Sequence, residues 1–251
     1  MKMKNLISLL LLTLSLFFIS VCSQTITQTQ FVYRWPETYC KAQSLNCKSK
    51  RPLKFTLAKF LGTDSNGNEV KPTCKNKPDW TKLFTNELVT KLDKFWPSLQ
   101  NKKENTDIWK DAWRTYGCFN QVFDQDPTNY FNKAIELSNK IGDLLQKHLI
   151  ESDGIVPCDT AIYQKDEILA SFKQVSNNKD VFFTCKENGG SKPAFLNEIT
   201  FCYDKNANNF ENCPSTVVKN KNCRIQNIIV PRPLTPALQA LQTTGEKLQP
   251  N

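Results

Sequence analysis

The chain offers few groups for chemistry. Its 251 residues include a single histidine, His148, and ten cysteines. The densest cluster of reactive side chains is "DIWKDAWRTYGC", residues 107–118, where Lys110, Asp111, Arg114 and Tyr116 crowd into two helical turns. A carboxylate beside cations can move a proton or steady a developing negative charge, the minimum for acid–base catalysis. On a helix Asp111 shares a face with Thr115, while Ala112 shares one with Tyr116. The plain alternative, a solvated charged face, describes the same spacing and is preferred here. A second segment, "RPLKFTLAKFLG" at residues 51–62, has the look of a strand and carries Lys59. Ala58 stands in it where a proton-transfer group would be useful. His148 lies outside both segments and reads as structural or solvent-facing.

Stepping outward, the chain opens with the basic "MKMK" and the apolar "NLISLLLLTLSLFFIS", and small residues follow at Val21 and Ser23. This pattern predicts a secretory signal peptide over 1–23, cleaved near Ser23–Gln24. The apolar run is short for a spanning helix and no second one follows, so no membrane association is expected. Cys22 leaves with the leader. The rest are Cys40, Cys47, Cys74, Cys118, Cys158, Cys185, Cys202, Cys213 and Cys223, an odd set, so at least one thiol stays free or bonds another chain. None of the spacings is a CxxC pair, which argues against zinc, and no metal or other cofactor is expected. In a secreted domain disulfides are the default. The formal charge of +9, from 33 Lys and Arg against 24 Asp and Glu, would favour weak electrostatic association with RNA or other polyanions.

"TQFVYRW" (29–35) and "KFTLAKF" (54–60) read as strands. "DWTKLFTNELVTKLDKFW" (79–96) has a helical apolar period, and residues 107–117 continue helically to Gly117. The longest helix spans 127–150, with Asp126 as N-cap and Pro127 at the first helical position. One more helix covers 164–175. Strands follow in "DVFFTC", "LNEITFCYD" and "CRIQNIIVP". Helices in the middle with strands at both ends predict an α+β domain over 24–231. The proline-containing segment 232–251 is expected to be a C-terminal tail or propeptide.

In order, "FVYRWPETYC" (31–40), "KFTLAKFLG" (54–62), "DIWKDAWRTYGC" (107–118) and "TFCYDKNANNFENCP" (200–214) resemble the T2 family of ribonucleases, above all plant S-RNases and S-like RNases. The resemblance covers about Gln30 to Pro231. It implies a single disulfide-bonded α+β domain with a central, mainly antiparallel sheet packed with helices. It also implies the pairs Cys40–Cys47, Cys74–Cys118, Cys185–Cys223 and Cys202–Cys213, leaving Cys158 as the free thiol. One departure is that Cys118 directly follows Gly117, where the family usually has one more residue.

Members of that family cleave RNA through the ribose 2′-hydroxyl, using motifs that read roughly F-T-I-H-G-L-W-P and H-E-W-x-K-H-G. Laid on them, the first catalytic histidine is Ala58, the glutamate is Ala112, the lysine is Thr115 and the second histidine is Tyr116. The tryptophan that helps hold a base is Leu61. Alanine has no proton to move, threonine carries no charge, and a phenol, ionising near pH 10, is a poor base. Each proton-transfer group is worth roughly 10²–10⁴ in rate, so four vacant roles imply loss of the usual activity. Trp109 and Trp113 remain and read as core residues. The resemblance thus points to a catalytically inactive ribonuclease homologue serving as a vegetative nitrogen store, vacuolar or extracellular. One alternative is an RNA- or partner-binding defence or regulatory protein that uses the degenerate cleft; another is a weak residual endoribonuclease. No obligate partner is expected. The chain is expected to be a monomer, with a disulfide-linked dimer through Cys158 as the variant.

Overall fold

The computed structural model describes residues 25–42, 45–74, 77–189 and 192–233. The expected leader and the tail from residue 234 onward lie outside them.

In chain order the elements are β1 (Gln28–Arg34), α1 (Pro36–Ala42), β2 (Thr56–Thr63), α2 (Trp80–Leu83), α3 (Asn86–Phe95), α4 (Asn105–Ala112), α5 (Asn120–Phe123) and α6 (Pro127–Leu145). They continue with β3 (Tyr163–Gln164), α7 (Lys165–Val175), β4 (Phe182–Lys186), β5 (Ala194–Asp204), β6 (Phe210–Glu211), α8 (Ser215–Lys221) and β7 (Asn227–Ile229). Two helices end in π-helical turns, α4 through Trp113–Gly117 and α6 through Gln146–Ser152. The sheet runs β2-β1-β5-β7-β3, with β4 and β6 also paired to β5. Every pairing is antiparallel except β5 with β7.

Alternation sorts the sheet into two faces. Phe31, Tyr33, Leu57, Phe60, Ile199, Phe201 and Tyr203 join the main core on the helical side. There Tyr130 of α6 stacks on Phe60, ring centroids 5.3 Å apart, and donates its hydroxyl to the Phe60 carbonyl at 2.9 Å. The reverse face carries Gln30, Val32, Lys59, Leu61, Glu198 and Thr200 around a shallow depression.

The periodic stretch 79–96 is not one helix. Asp79 caps α2, and the Thr85 hydroxyl accepts from the Leu88 N–H at 3.3 Å, starting α3 anew. By contrast, Asp126 caps α6 as expected, its carboxylate accepting from the Thr128 N–H at 2.7 Å.

Four disulfides hold the fold: Cys40–Cys47, Cys74–Cys118, Cys185–Cys223 and Cys202–Cys213. Cys158 is free and half-buried. Near it the C-terminal strand is stitched down. Trp35 Nε1 donates to the Pro231 carbonyl at 2.9 Å, the Cys158 N–H to Val230 at 2.8 Å, and the Arg232 N–H to Asp159 at 3.2 Å.

Candidate active-site cleft

Two irregularities in the backbone make the site. In the β1–β2 ladder Val32 pairs with Lys59 but Tyr33 pairs with Leu57, so Ala58 is the extra residue of a β-bulge. A bulge re-aims the side chain it carries, and here it turns Ala58 out of the ladder's alternation into a cleft of about 220 Å³. The second irregularity is the π turn after α4. Ile108, Asp111, Ala112, Thr115 and Tyr116 form one stripe along α4 and that turn, and all five line the same cleft.

The structure therefore brings Ala58, Ala112, Thr115 and Tyr116 together. It also brings Asp111 to the same cleft, so both helical faces read from the sequence border it. The two pairs lie side by side on adjoining faces, and the cleft is broad enough to meet both. Asp111 is nonetheless committed: its carboxylate is ion-paired to Arg114, with both side chains more than half exposed. Lys110 does not line the cleft. Lys59 points toward the reverse face, although its ammonium reaches to 5.8 Å from the centroid of the Tyr116 ring.

The facing wall comes from residues that sequence reasoning did not single out. Arg34, at the end of β1, projects into the cleft but is held by Glu198 across the sheet, with Nη2 at 2.6 Å and Nε at 2.8 Å from Oε1. Its guanidinium also lies 4.0 Å over the Tyr39 ring. The Tyr39 hydroxyl in turn accepts from Gln100 Nε2 at 2.9 Å. Lys103 adds an exposed ammonium at the rim. No local motif could have flagged Arg34, because its partner Glu198 is 164 residues away.

Leu61 does not join this group; it is buried and lines the depression on the reverse face. Trp109 and Trp113 are core residues, the former donating Nε1 to the Trp96 carbonyl at 2.8 Å. His148 sits in the π turn after α6, with Nδ1 2.9 Å from Gln174 Oε1, and takes no part in the cleft. Cys158 lies elsewhere again. A hydrogen bond from the Thr160 hydroxyl, joined by the N–H groups of Thr160 and Ala161, pulls its thiol pKa down to about 7. Among the described residues no three His, Cys, Asp or Glu side chains gather in a metal-binding group, and no helix is long and apolar enough to cross a membrane.

Chemically the cleft can form hydrogen bonds through Tyr39, Ser98, Gln100, Thr115 and Tyr116. Its guanidinium and its carboxylate are each already paired. It holds no imidazole to pass a proton between a hydroxyl and a leaving oxygen.

Comparison with known proteins places this geometry. Residues 26–213 match the ribonuclease T2 family. Ribonuclease S-6 of Pyrus pyrifolia is 23% identical over 238 residues, 91% of this chain and all of that protein. Ribonuclease S-F11 of Nicotiana alata is 28% identical over 202 residues, covering 78% of this chain and 95% of the relative. In fold, the Japanese pear S3-RNase aligns with a TM-score of 0.67 at 20% identity, across 80% of this chain and 98% of that one. RNase NT, solved with 5′-AMP, aligns with a TM-score of 0.70 at 20% identity, across 83% and 100%. With a matching sheet and helices and the family match spanning three quarters of its length, the chain belongs to the ribonuclease T2 family.

Proposed function

We propose that this protein has the ribonuclease T2 fold without ribonuclease activity, and that it serves as a nitrogen store in the vacuole or outside the cell. One observation carries the reading. The bulge and the stripe along α4 and its π turn converge on a single cleft, where the four positions that match the family's catalytic residues are Ala58, Ala112, Thr115 and Tyr116, and the neighbouring Asp111 carboxylate is ion-paired to Arg114. Transphosphorylation needs a base for the 2′-hydroxyl, an acid for the 5′-oxygen and a cation beside the phosphorane. None of the four side chains supplies a base or a cation. Arg34, the guanidinium in the cleft wall, is neutralised by Glu198, and the Lys103 ammonium stands exposed at the rim. Storage follows as the role of a folded, bridged chain from which this chemistry is missing, with side chains rich in amide and amine nitrogen.

The test is RNA turnover by the purified protein across pH, beside an active plant T2 ribonuclease at equal concentration. Loss of two proton-transfer groups and the cation predicts a rate lower by about 10⁶ or more. Turnover within a hundredfold of the active enzyme, persisting through repurification, would sink the proposal. It would then favour a rebuilt site, for which Asp111 and Tyr116 are the residues to substitute.

A second reading keeps the cleft as a binding site for RNA or a protein partner, favoured by its hydrogen-bonding lining and the exposed Lys103. It predicts salt-dependent RNA affinity that falls on substitution of Lys103 and Tyr116. Affinity that ignores those substitutions would leave only general attraction to the +9 chain.

A further inference from the structure

A second cavity, of about 240 Å³, opens on the helical side of the sheet between α3, the end of α6 and the segment before β2. It is separate from the cleft: Phe95 and Phe55 border it, while their neighbours Trp96 and Thr56 border the cleft. Its walls are apolar, formed chiefly by Trp35, Phe55, Phe95 and Leu149.

Three features set it apart from a packing defect. First, its floor is polar. Tyr33 is 2% exposed and Ser138 is 0% exposed, both line the cavity, and beyond each other the two hydroxyls have no hydrogen-bond partner among the described residues. The Tyr203 hydroxyl behind them is likewise unpartnered. Burial pushes the phenols of Tyr33 and Tyr203 far up, with the nearby Ser138 hydroxyl opposing it at Tyr33, so both stay protonated as donors. The two hydroxyls that line the cavity carry two protons, and a bond between Tyr33 and Ser138 uses only one of them. A buried hydroxyl without a partner is costly, which calls for an acceptor in the cavity.

Second, the rim is cationic. Lys54 and Lys94 both reach over the Phe95 ring, at 5.5 and 4.6 Å from its centroid, against one carboxylate, Asp143. The rim also exposes an apolar residue, Leu53, at 62%.

Third, the helix leaves room. Gly142 lies inside the 19-residue α6, where alanine would stabilise it. A Cβ built there meets nothing within 4 Å, so the space beside the helix at this point of the cavity lining is open.

We infer that this cavity binds a small aromatic carboxylate bearing a second oxygen at its far end. The ring system lies against the packed Trp35 and Phe55 rings and Phe95, the carboxylate stays at the wet rim against Lys54 and Lys94, and the far oxygen accepts from Tyr33 or Ser138. A carboxylate at the floor would lose its hydration without a cation to offset it, which fixes the orientation. The inference is independent of the storage reading, since it uses none of the cleft's side chains.

The experiment is a titration of the full secreted protein with 6-hydroxy-2-naphthoate, read by calorimetry and by quenching of tryptophan fluorescence. Saturable one-to-one binding is expected. The methyl ester should bind at least about tenfold more weakly, as should the charge-reversed Lys54→Glu/Lys94→Glu variant, whose changes are on the surface. Gly142→Leu should abolish binding while near-UV circular dichroism stays unchanged. Tyr33→Phe should weaken 6-hydroxy-2-naphthoate yet leave 2-naphthoate, which lacks the far oxygen, unaffected; this separates a direct contact from a general loss of packing. Absence of saturable binding to the unsubstituted protein overturns the inference, as does binding that survives both the lysine reversals and Gly142→Leu.

Discussion

A methyl group cannot relay a proton, yet the backbone around Ala58 still has the form that would present one. The bulge there presents a side chain with no chemistry to offer, and Ala112, Thr115 and Tyr116 are delivered to the same place by α4 and its π turn. These four positions were legible through the family resemblance that the ordered motifs carry. Arg34 and Glu198 were not, because an ion pair across a sheet has no local signature. That Asp111 also borders the cleft was not legible, since a helical wheel separates neighbours that a broad cleft collects. The reactive side chain the molecule does retain is Cys158. With its pKa drawn from 9.0 to about 7, its thiolate fraction rises through half near neutrality, and the thiolate is the nucleophile. Iodoacetamide labelling followed by mass spectrometry should show a half-maximal rate near pH 7, and Thr160→Ala should move that midpoint upward. A midpoint near 9 in the unsubstituted protein would show that the Thr160 hydrogen bond does not act on the thiol.

Between residues and fold stand the turns, and two of them are copies of one design. Asp64 and Asp204 end β2 and β5, the two strands that flank β1, and each carboxylate folds back on its own loop. Asp64 Oδ1 accepts from the N–H groups of Asn66 and Asn68 at 2.9 Å, and Asp204 Oδ1 accepts from those of Asn206 and Asn208 at 3.0 Å. Three residues on from each aspartate the chain adopts positive φ, at Gly67 (76°) and Ala207 (58°). Hydrogen bonds from Asn68, by side chain and then backbone, lower the Asp64 pKa. For Asp204 burial pulls upward, but bonds from Asn208, Asn209 and Asn206 outweigh it. Both folded values therefore lie below the ordinary 3.8. Their contribution to stability is complete above that value and is lost as pH falls through the lower folded values. Asp204→Asn, whose amide would face the donors of Asn209, should cost roughly 1 kcal/mol at pH 7 and progressively less as pH falls through the lowered folded value, measured by denaturant unfolding at pH 7 and in acid. An equal cost at both would assign the effect to packing. Such side-chain-to-backbone turns are readable as Asp–Asn clusters, whereas periodicity, which located α3 and α6, runs straight through the break at Thr85. It also passes over α1, β3, β6 and α8, each too short to show a period.

At the scale of the molecule, the fold class and the bridge pattern were legible through the family resemblance; cysteine spacing by itself left the pairing open. The bridges close loops of different lengths, from 7 residues of separation at Cys40–Cys47 to 44 at Cys74–Cys118. Each is worth on the order of 2–4 kcal/mol. The last of the described chain has no bridge and is held instead by single bonds to Trp35, Cys158 and Asp159. An exopeptidase must draw the final residues of its substrate into its own site as unpaired strand. Working inward from the C-terminal side, it would meet Pro233, which is buried, then Arg232, Pro231 and Val230, each already bonded within the fold. Carboxypeptidase digestion of the folded protein should therefore stall with a terminus at or just beyond Pro233, read by intact mass. Digestion through to Ile229 without loss of near-UV signal would show that the fold does not depend on these bonds. If the stall occurs, they act as a ratchet stop, which sets where trimming of this chain ends whatever enzyme begins it.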